Sequence, residues 1–484
     1  MRAKGWVGLL IAVSVVAAIV PNVTGRMTES RVRELVAAAN QTWSSSWKVE
    51  IDSYDRSWAR SESVVRIRSG EGTDVAELRT TWRHGPLGGM NLASGSTEFH
   101  LLGPLAASER HYFKGNPPAT ATHTVSLDQS LRADFATPPI DRALMDSPAT
   151  RVSGTGSSGT LTIDRSGRFA FDHHYPKLTI AERAEKLEIV EARLASSGSF
   201  GDAALATPAQ FSLSAGSIQW SDKLRSVAIA DVSITGRMIP NAESIDFKFG
   251  HVVGPGHAEE RGNAHRWKRI ELRLTFADIS RAALEGLSRE MRSVSELPPS
   301  DPRRLQLSLS AFANASQALL KRDPTLSLDT FTFEGPDGIL SITATVRVDQ
   351  ALLKDGGFAP LLRAISMLAR VSIARALAEA WLVAALRPNA VAALTVQGSP
   401  EPSAADVDRW ARTMAGNVLG SAAQAGLIRE GADPIVVEIV AKEGRILANG
   451  LSAERLAELK SALLPDPAAR NRGMERVPAA PGTR

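Results

Sequence analysis

The feature that most restricts the fold is a change of hydrophobic period along the chain. Between Lys48 and Phe276 apolar and polar residues alternate one for one, as in Val64-Val65-Arg66-Ile67-Arg68, Val75-Ala76-Glu77-Leu78-Arg79, Thr160-Leu161-Thr162-Ile163 and Lys186-Leu187-Glu188-Ile189. Val227-Ala228-Ile229-Ala230, Ser244-Ile245-Asp246-Phe247-Lys248-Phe249 and Ile270-Glu271-Leu272-Arg273-Leu274 follow the same rule. A strand of this kind buries one face and wets the other, the signature of antiparallel pairing. Turn residues punctuate the runs, as at Asp164-Arg165-Ser166-Gly167. No regular strand–helix alternation occurs, which argues against a parallel α/β sheet. The expected fold is α+β: a large, curved, mainly antiparallel β-sheet with packed helices.

Helical spacing flanks the strand region. Val32, Leu35, Val36 and Ala39 predict a short helix within Thr28–Trp43, and further helices are expected at Asp278–Arg292 and Leu305–Leu320. A hairpin is expected at Thr325–Val348, turning at Gly335-Pro336-Asp337-Gly338, with Leu340, Ile342, Ala344, Val346 and Val348 on one face. Pro360–Arg387 reads as an Ala/Leu-rich helical block, whose Arg363, Arg370, Arg375 and Glu379 are too many charges for a membrane span. Val407, Trp410, Ala411, Met414 and Val418 form an amphipathic stripe, read as packing onto the sheet. A hairpin over Ile435–Leu447 and a helix over Leu451–Leu464 complete the body, and residues 465–484 read as a disordered tail.

At the N-terminus, Arg2 and Lys4 precede an apolar stretch from Trp6 to Val20 that is interrupted only by Gly8 and Ser14. As a helix, Gly5 to Val23 would extend about 28 Å, close to the thickness of a bilayer core. Residues 1–25 are therefore expected to be a membrane anchor or signal sequence, with residues 26–464 as the folded body. The net charge of +4 arises from 56 basic and 52 acidic residues over 484, too little to argue for nucleic-acid binding. The basic residues are 44 Arg and 12 Lys, a uniform skew that makes any single Arg weak support for a phosphate site. There is no cysteine, which excludes disulfides, thiol catalysis and cysteine-ligated metals.

Motifs with possible chemistry are few. Gly154-Thr155-Gly156-Ser157-Ser158-Gly159 fits G-x-G-x-x-G, but a strand rather than a helix is expected after it, so no dinucleotide site is expected. His173 and His174 are strand neighbours and point to opposite faces. His251, His257 and His265, with Glu259 and Glu260 around Gly254-Pro255-Gly256, are the best metal or acid–base candidates, although no zinc-ligand spacing is present. A solvated polar loop is the expected alternative. His84 precedes Gly85-Pro86, which ends a strand, and its imidazole is expected to bond to backbone. Neither G-x-S-x-G nor a P-loop occurs. No catalytic, cofactor-binding or metal residue is therefore expected.

Four short elements, in this order, resemble the YdgA-like family of bacterial envelope proteins of unknown function. Tyr54-Asp55-Arg56-Ser57-Trp58-Ala59-Arg60-Ser61 is similar to a Tyr-x-x-Gly-x-Phe-x-Ser element, with Ser57 and Ala59 in place of the glycine and phenylalanine. His84-Gly85-Pro86-Leu87 resembles the family's His-Gly-Pro element. Leu319-Leu320-Lys321-Arg322-Asp323-Pro324 resembles Leu-Leu-x-x-Asp-Pro, and Gly444 to Gly450 resembles a C-terminal Gly-x-[Leu/Ile]-x-x-Asn-Gly hairpin. The resemblance implies an inner-membrane tether, a periplasmic mixed β/α body and no established catalytic residues. With the sheet pattern, it leads to an expected non-catalytic binding module for lipid or another amphiphile. An oligomeric scaffold, or a hydrolase built on His251, His257 and His265, are the alternatives.

Overall fold

The computed structural model describes residues 23–37, 39–40, 47–85, 91–200, 205–260, 263–295, 297, 301–320, 322–349, 364–396, 402–429, 431–452 and 454–458. It divides into two compact units, Met1–His265 with Phe276–Arg322 and Arg266–Thr275 with Asp323–Arg484. The expected anchor and the expected C-terminal tail lie outside the described residues, apart from Val23 and its immediate successors.

In the first unit, helix α1 (residues 23–37) precedes a long antiparallel meander. Strands β1 (Trp47–Arg56), β2 (Arg60–Ser69), β3 (Asp74–His84) and β4 (Asn91–Leu101) pair in sequence order. Helix α2 (Ala106–Phe113) interrupts before β5 (Ala119–Ser126) and β6 (Leu131–Thr137). Short strands β7 (Ile140–Ala143) and β8 (Thr150–Gly154) pair with each other, and β9 (Ser157–Ile163) returns to β6. The long strand β10 (Arg168–Glu182) pairs with β9 over Phe169–His174 and with β8 over Leu178–Glu182. It is followed by β11 (Glu185–Ser199), β12 (Ala209–Ser221), β13 (Arg225–Pro240) and β14 (Ser244–Val253), each paired with the one before. All these pairings are antiparallel, as alternation requires when one face is wet.

β15 (Gly256–Glu260) pairs with β13 beyond the end of β14, and β16 (Asn263–Trp267) and β17 (Arg269–Ser280) follow, their Arg266–Thr275 portion belonging to the second unit. The first unit closes with α3 (Arg281–Ser295) and α4 (Arg303–Leu320), which pack as a helical hairpin. Residues 278–280, expected to be helical, instead extend β17, and Arg281 N–H donates to Glu243 O at 3.0 Å where α3 begins. The expected Asp164–Gly167 turn is present: Asp164 accepts from Ser166 Oγ at 2.6 Å and from the Arg168 N–H at 3.0 Å.

In the second unit, β18 (Thr325–Gly335), β19 (Gly338–Val348), β20 (Ile365–Ile373), β21 (Ile435–Lys442), β22 (Arg445–Ala448) and β23 (Leu451–Ser452) form an antiparallel meander. Between β20 and β21 run α5 (Arg375–Val396) and α6 (Ala404–Gln424). Their apolar faces meet at Leu386 and Ala390 against Val407, Ala411 and Ala415. Ala378, Leu419 and Ala422 pack with Ile428 and Ile435, with Ile373 and Val437 of the sheet alongside. Ser403 caps α6, its hydroxyl accepting from the Asp406 N–H.

Two expectations are corrected in this unit. The helical block expected at Pro360–Arg387 begins as strand β20. Its apolar residues Ile365, Met367, Ala369, Val371 and Ile373 alternate with Ser366, Arg370 and Ser372, and only Leu368, exposed at 57%, breaks the period. Arg370 therefore belongs to a strand, and Arg375–Thr395 is left long and apolar enough, by length and composition, to cross a membrane. It is the one such helix among the described residues, and the helix over residues 23–37 is not one. The second correction is at Leu451: Leu451 and Ser452 pair with β22, residues 454–458 are helical as expected, and the rest of the expected helix lies outside the described residues.

Candidate functional site: one face of the first sheet

Residues directly opposite one another in an antiparallel pair share a face, so the register can be followed across the sheet. One row runs Ser63, Thr80, Thr97, Ala121, Phe135, Gly159, His173, Leu194, Leu213, Ile234, His251. The adjacent row runs Ser61, Trp82, Gly95, His123, Ala133, Leu161, Phe171, Ser196, Phe211, Gly236, Phe249. Both rows cross from β2 to β14 on a single face.

The β2–β6 end of this face is covered. Met27 and Val32 of α1 pack against Trp82, Leu92, Ala93 and Val125. Helix and sheet are held further by Arg31, which donates to Asp164 O at 2.7 Å, and by Asn40, whose amide exchanges two 2.8 Å bonds with the Val49 backbone. Three histidines of this face are buried, His84 and His123 at this end and His173 farther along on β10, each beside a hydroxyl. His84 Nε2 lies 2.6 Å from Ser61 Oγ, His173 Nε2 lies 2.8 Å from Ser157 Oγ, and His123 Nδ1 lies 3.5 Å from Thr97 Oγ1. Burial lowers the pKa of all three, and takes His123 down to about 4. They are neutral at pH 7. His123 also stacks edge-on to Trp82, ring centroids 4.1 Å apart.

The Ser61–His84 distance suits a nucleophile and its base. The surroundings do not. Both side chains are at most 1% exposed, His84 Nδ1 has no hydrogen-bond partner to orient it, and α1 lies so close that a Cβ on Gly25 would sit 3.2 Å from the imidazole. The pair fastens β2 to the end of β3 beneath α1. The expectation of a backbone partner for His84 is thus corrected to a side-chain one, because Ser61 and Trp82 are register partners and bring the hydroxyl beside His84.

The β11–β14 end of the same face is open. Leu194, Leu213 and Ile234 stand directly opposite one another and remain 38–45% exposed. In the neighbouring row Phe211 and Phe249 flank Gly236 and are 40% and 41% exposed. Gly236 has a specific use: the Phe211 ring lies across it, in space that a Cβ would occupy. The same device recurs at Gly159 beneath Phe135, where Phe135, Phe171 and His173 form an aromatic cluster between the two ends. A ring laid flat over a cross-strand glycine widens the apolar surface without raising it.

The sequence-based metal and acid–base candidates do not converge. His251, His257 and His265 lie on β14, β15 and β16, not in one loop. His251 is opposite Ile234 and His257 is opposite Ala228, six residues apart on β13, or about 20 Å of strand. Gly254, between them, marks the step where pairing passes from β14 to β15, with its N–H on Ala230 O at 3.0 Å. Among the described residues no group of three or more His, Asp or Glu is placed to hold a metal. His173 and His174 do point apart, one to Ser157 and the other to Glu191 at 2.7 Å. Gly154–Gly159 connects two strands with no helix following.

A family model described as "Bacterial protein of unknown function (DUF945)" matches residues 3–453. The chain belongs to this family. No curated protein and no solved structure matches it. The short elements noted in the sequence have structural uses in this DUF945 chain. Tyr54 and Ser61 from the first and His84 from the second meet under α1: Tyr54 is opposite Ser63, and burial raises its pKa. In the last, the Asn449 side chain accepts from the Glu438 N–H at 2.7 Å and donates to Leu427 O at 2.6 Å. It ties the final hairpin to the segment that follows α6.

The open row is not visible in the sequence alone. Phe211 and Leu213 alternate with serines on β12, but so do many strand residues. What joins Leu194, Leu213 and Ile234 is cross-strand register, which alternation within one strand leaves open.

Proposed function

We propose that this protein binds the acyl portion of a lipid or similar amphiphile along the open β11–β14 face, without chemistry. The observation that carries this reading is the contiguity of Leu194, Leu213 and Ile234 beside Phe211 and Phe249, all substantially exposed. Contiguous exposed apolar surface marks an interaction site, whereas single exposed leucines do not. Strands lie about 4.8 Å apart, so Leu194, Leu213 and Ile234 offer an apolar track of about 10 Å from β11 to β13, which Phe249 of the adjacent row carries on to β14. The YdgA-like resemblance supports a finer form of the proposal, in which the protein is tethered at a bacterial inner membrane with its body in the periplasm.

The test is photo-cross-linking of the purified full chain with a diazirine-bearing long-chain fatty acid, read by peptide mass spectrometry. Label on β11–β14 peptides, lost in Leu213→Arg, is expected. Label spread over the surface and unchanged in that variant overturns the proposal. So does wild-type protein in which β11–β14 peptides join two copies in place of capturing the probe, the outcome an oligomeric scaffold predicts.

A further inference from the structure

We propose that the cleft between the end of α2 and strands β7, β8 and β10 binds a small amphiphilic anion, a carboxylate carried on an apolar body. This cleft shares no lining residue with the open β11–β14 row, and the argument for it does not use that reading.

The cleft holds about 770 Å³, within the range of small-molecule sites. Its walls are tied to one another. The end of α2 is fastened to β7 and the residues after it by His111, whose Nε2 lies 2.7 Å from Ala143 O, and by Tyr112, whose hydroxyl accepts from the Met145 N–H at 3.2 Å. Pro138 and Pro139 lead into β7 with φ locked by their rings. The Gly154–Gly159 motif finds its use here. Gly156 has a φ of 87°, and a Cβ on it would sit 2.6 Å from Thr137 O, so glycine lets this loop lie against the Thr137–Pro139 segment. The Thr155 N–H donates to Lys177 O at 3.3 Å and joins the same loop to β10. A cleft whose walls are held before the ligand arrives loses little freedom on binding.

Composition selects the ligand. Tyr112, Phe113 and Ile140 supply apolar surface beside the two prolines. Lys114, Arg142 and Lys177 supply positive charge, and Asp141 is the one carboxylate among the described lining residues. That carboxylate is already held by Arg151 through two 2.6 Å bonds, which lower its pKa. Lys177 meets Glu188 at 3.1 Å, but Glu188 also meets Lys186 at 2.9 Å, so one carboxylate serves two ammonium groups. Among the described residues neither Lys114 nor Arg142 has a carboxylate within ion-pair distance. Positive charge is therefore in surplus on the lining, and an anion restores the balance. Apolar walls alone would take a neutral ligand, and cations alone an inorganic anion. Together they fit a carboxylate on an apolar body, its oxygens accepting charge-assisted hydrogen bonds from Lys114 and Arg142.

The test uses 4-benzoylbenzoate, a photoreactive aromatic carboxylate, on the purified full chain, read by peptide mass spectrometry. Expected is label on peptides holding residues 112–116 and 138–142. Combining Lys114→Gln with Arg142→Gln should weaken this labelling about tenfold at subsaturating probe. Leu213→Arg should leave it unchanged, because that substitution lies on the other surface. The neutral 4-benzoylbenzamide should label these peptides far less, and an excess of inorganic phosphate should displace little of the carboxylate. A wild-type map without label on these peptides overturns the proposal whatever the variants do. So does equal labelling by the amide, which would make the cleft merely apolar, and so does displacement by phosphate, which would make it a site for a bare anion. Undiminished label in the double variant, with a thermal midpoint close to wild type to show that it is folded, also overturns it. Failure here leaves fatty-acid capture by β11–β14 peptides unaffected.

Discussion

Followed strand by strand, the β2–β6 and β11–β14 stretches of one sheet face differ in composition as well as in cover: the first sets Ser61, Ser63, Thr80 and Thr97 around apolar residues such as Trp82, the second sets Leu194, Leu213 and Ile234 beside Phe211 and Phe249. At the first end α1 covers the apolar residues, and Trp82, Val125 and Ala93 are 6%, 2% and 1% exposed. At the second they stay open, with Leu213 at 45%. The covered end also carries buried polar groups and pairs some of them, Ser61 with His84 and Trp82 Nε1 with Ser63 Oγ at 3.3 Å, while His84 Nδ1 and His123 Nε2 are left without a partner. The open row ends with His251 at β14, among leucines and isoleucine that need no partner. A face closed over by a helix is a core, and a face left apolar and accessible is a surface for something else.

Four outcomes break or sharpen that contrast. The largest is packing. Trp82→Ala should cost about 3–5 kcal/mol, because it empties a site beneath α1, whereas Leu213→Ala should cost no more than about 1 kcal/mol, as exposed positions do. Denaturant midpoints decide it, and similar losses at both would mean that the open end is core.

Next is pH. His123 has its pKa lowered from 6.5 to about 4, so between those values the folded state binds fewer protons than the unfolded chain. Stability is complete above about pH 6.5 and falls as pH drops through this window, by about 3 kcal/mol at its lower end for this one group. His84 and His173, also lowered, act with the same sign. His123→Gln should flatten the curve measured by unfolding at stepped pH, and an unchanged curve in that variant would sink this assignment.

A smaller effect is expected at Ser61. Ser61→Ala strips the buried His84 Nε2 of its partner and should destabilise by about 1–3 kcal/mol. Ser61→Thr retains the hydroxyl and should recover part of this loss. Equal losses in the two variants would separate the effect from the hydrogen bond.

Much of this architecture was legible in advance, and the reason is local. Each of the alternating segments from Val64 to Leu274 became a strand, and the turns at Asp164–Gly167 and Gly335–Gly338 fell where their residues demand. Glu443 and Gly444, both with positive φ, likewise turn the final hairpin where it was expected. Local reading failed where two periods compete, as at Ile365–Ile373, whose single misplaced Leu368 and Ala/Leu-rich sequel disguised a strand as a helix. It failed again at the site. Ser61 and His84 are 23 residues apart and meet only through the β2–β3 register. The histidines that looked clustered at 251, 257 and 265 are drawn apart because β14 and β15 occupy different lengths of β13. Cross-strand neighbours are set by register, and register is fixed by turns and by the buried face together.

The most direct test of the central claim, that the open end of this face is a ligand surface and not unfinished core, is the shift in thermal midpoint produced by a saturating long-chain fatty acid. A ligand that binds only the folded state raises the midpoint in step with its concentration. The account predicts such a rise for the wild-type chain, its loss in Leu213→Asp, and a ligand-free midpoint for that variant within about 1 kcal/mol of wild type. A rise that survives Leu213→Asp, or a ligand-free loss as large as that of Trp82→Ala, would contradict it.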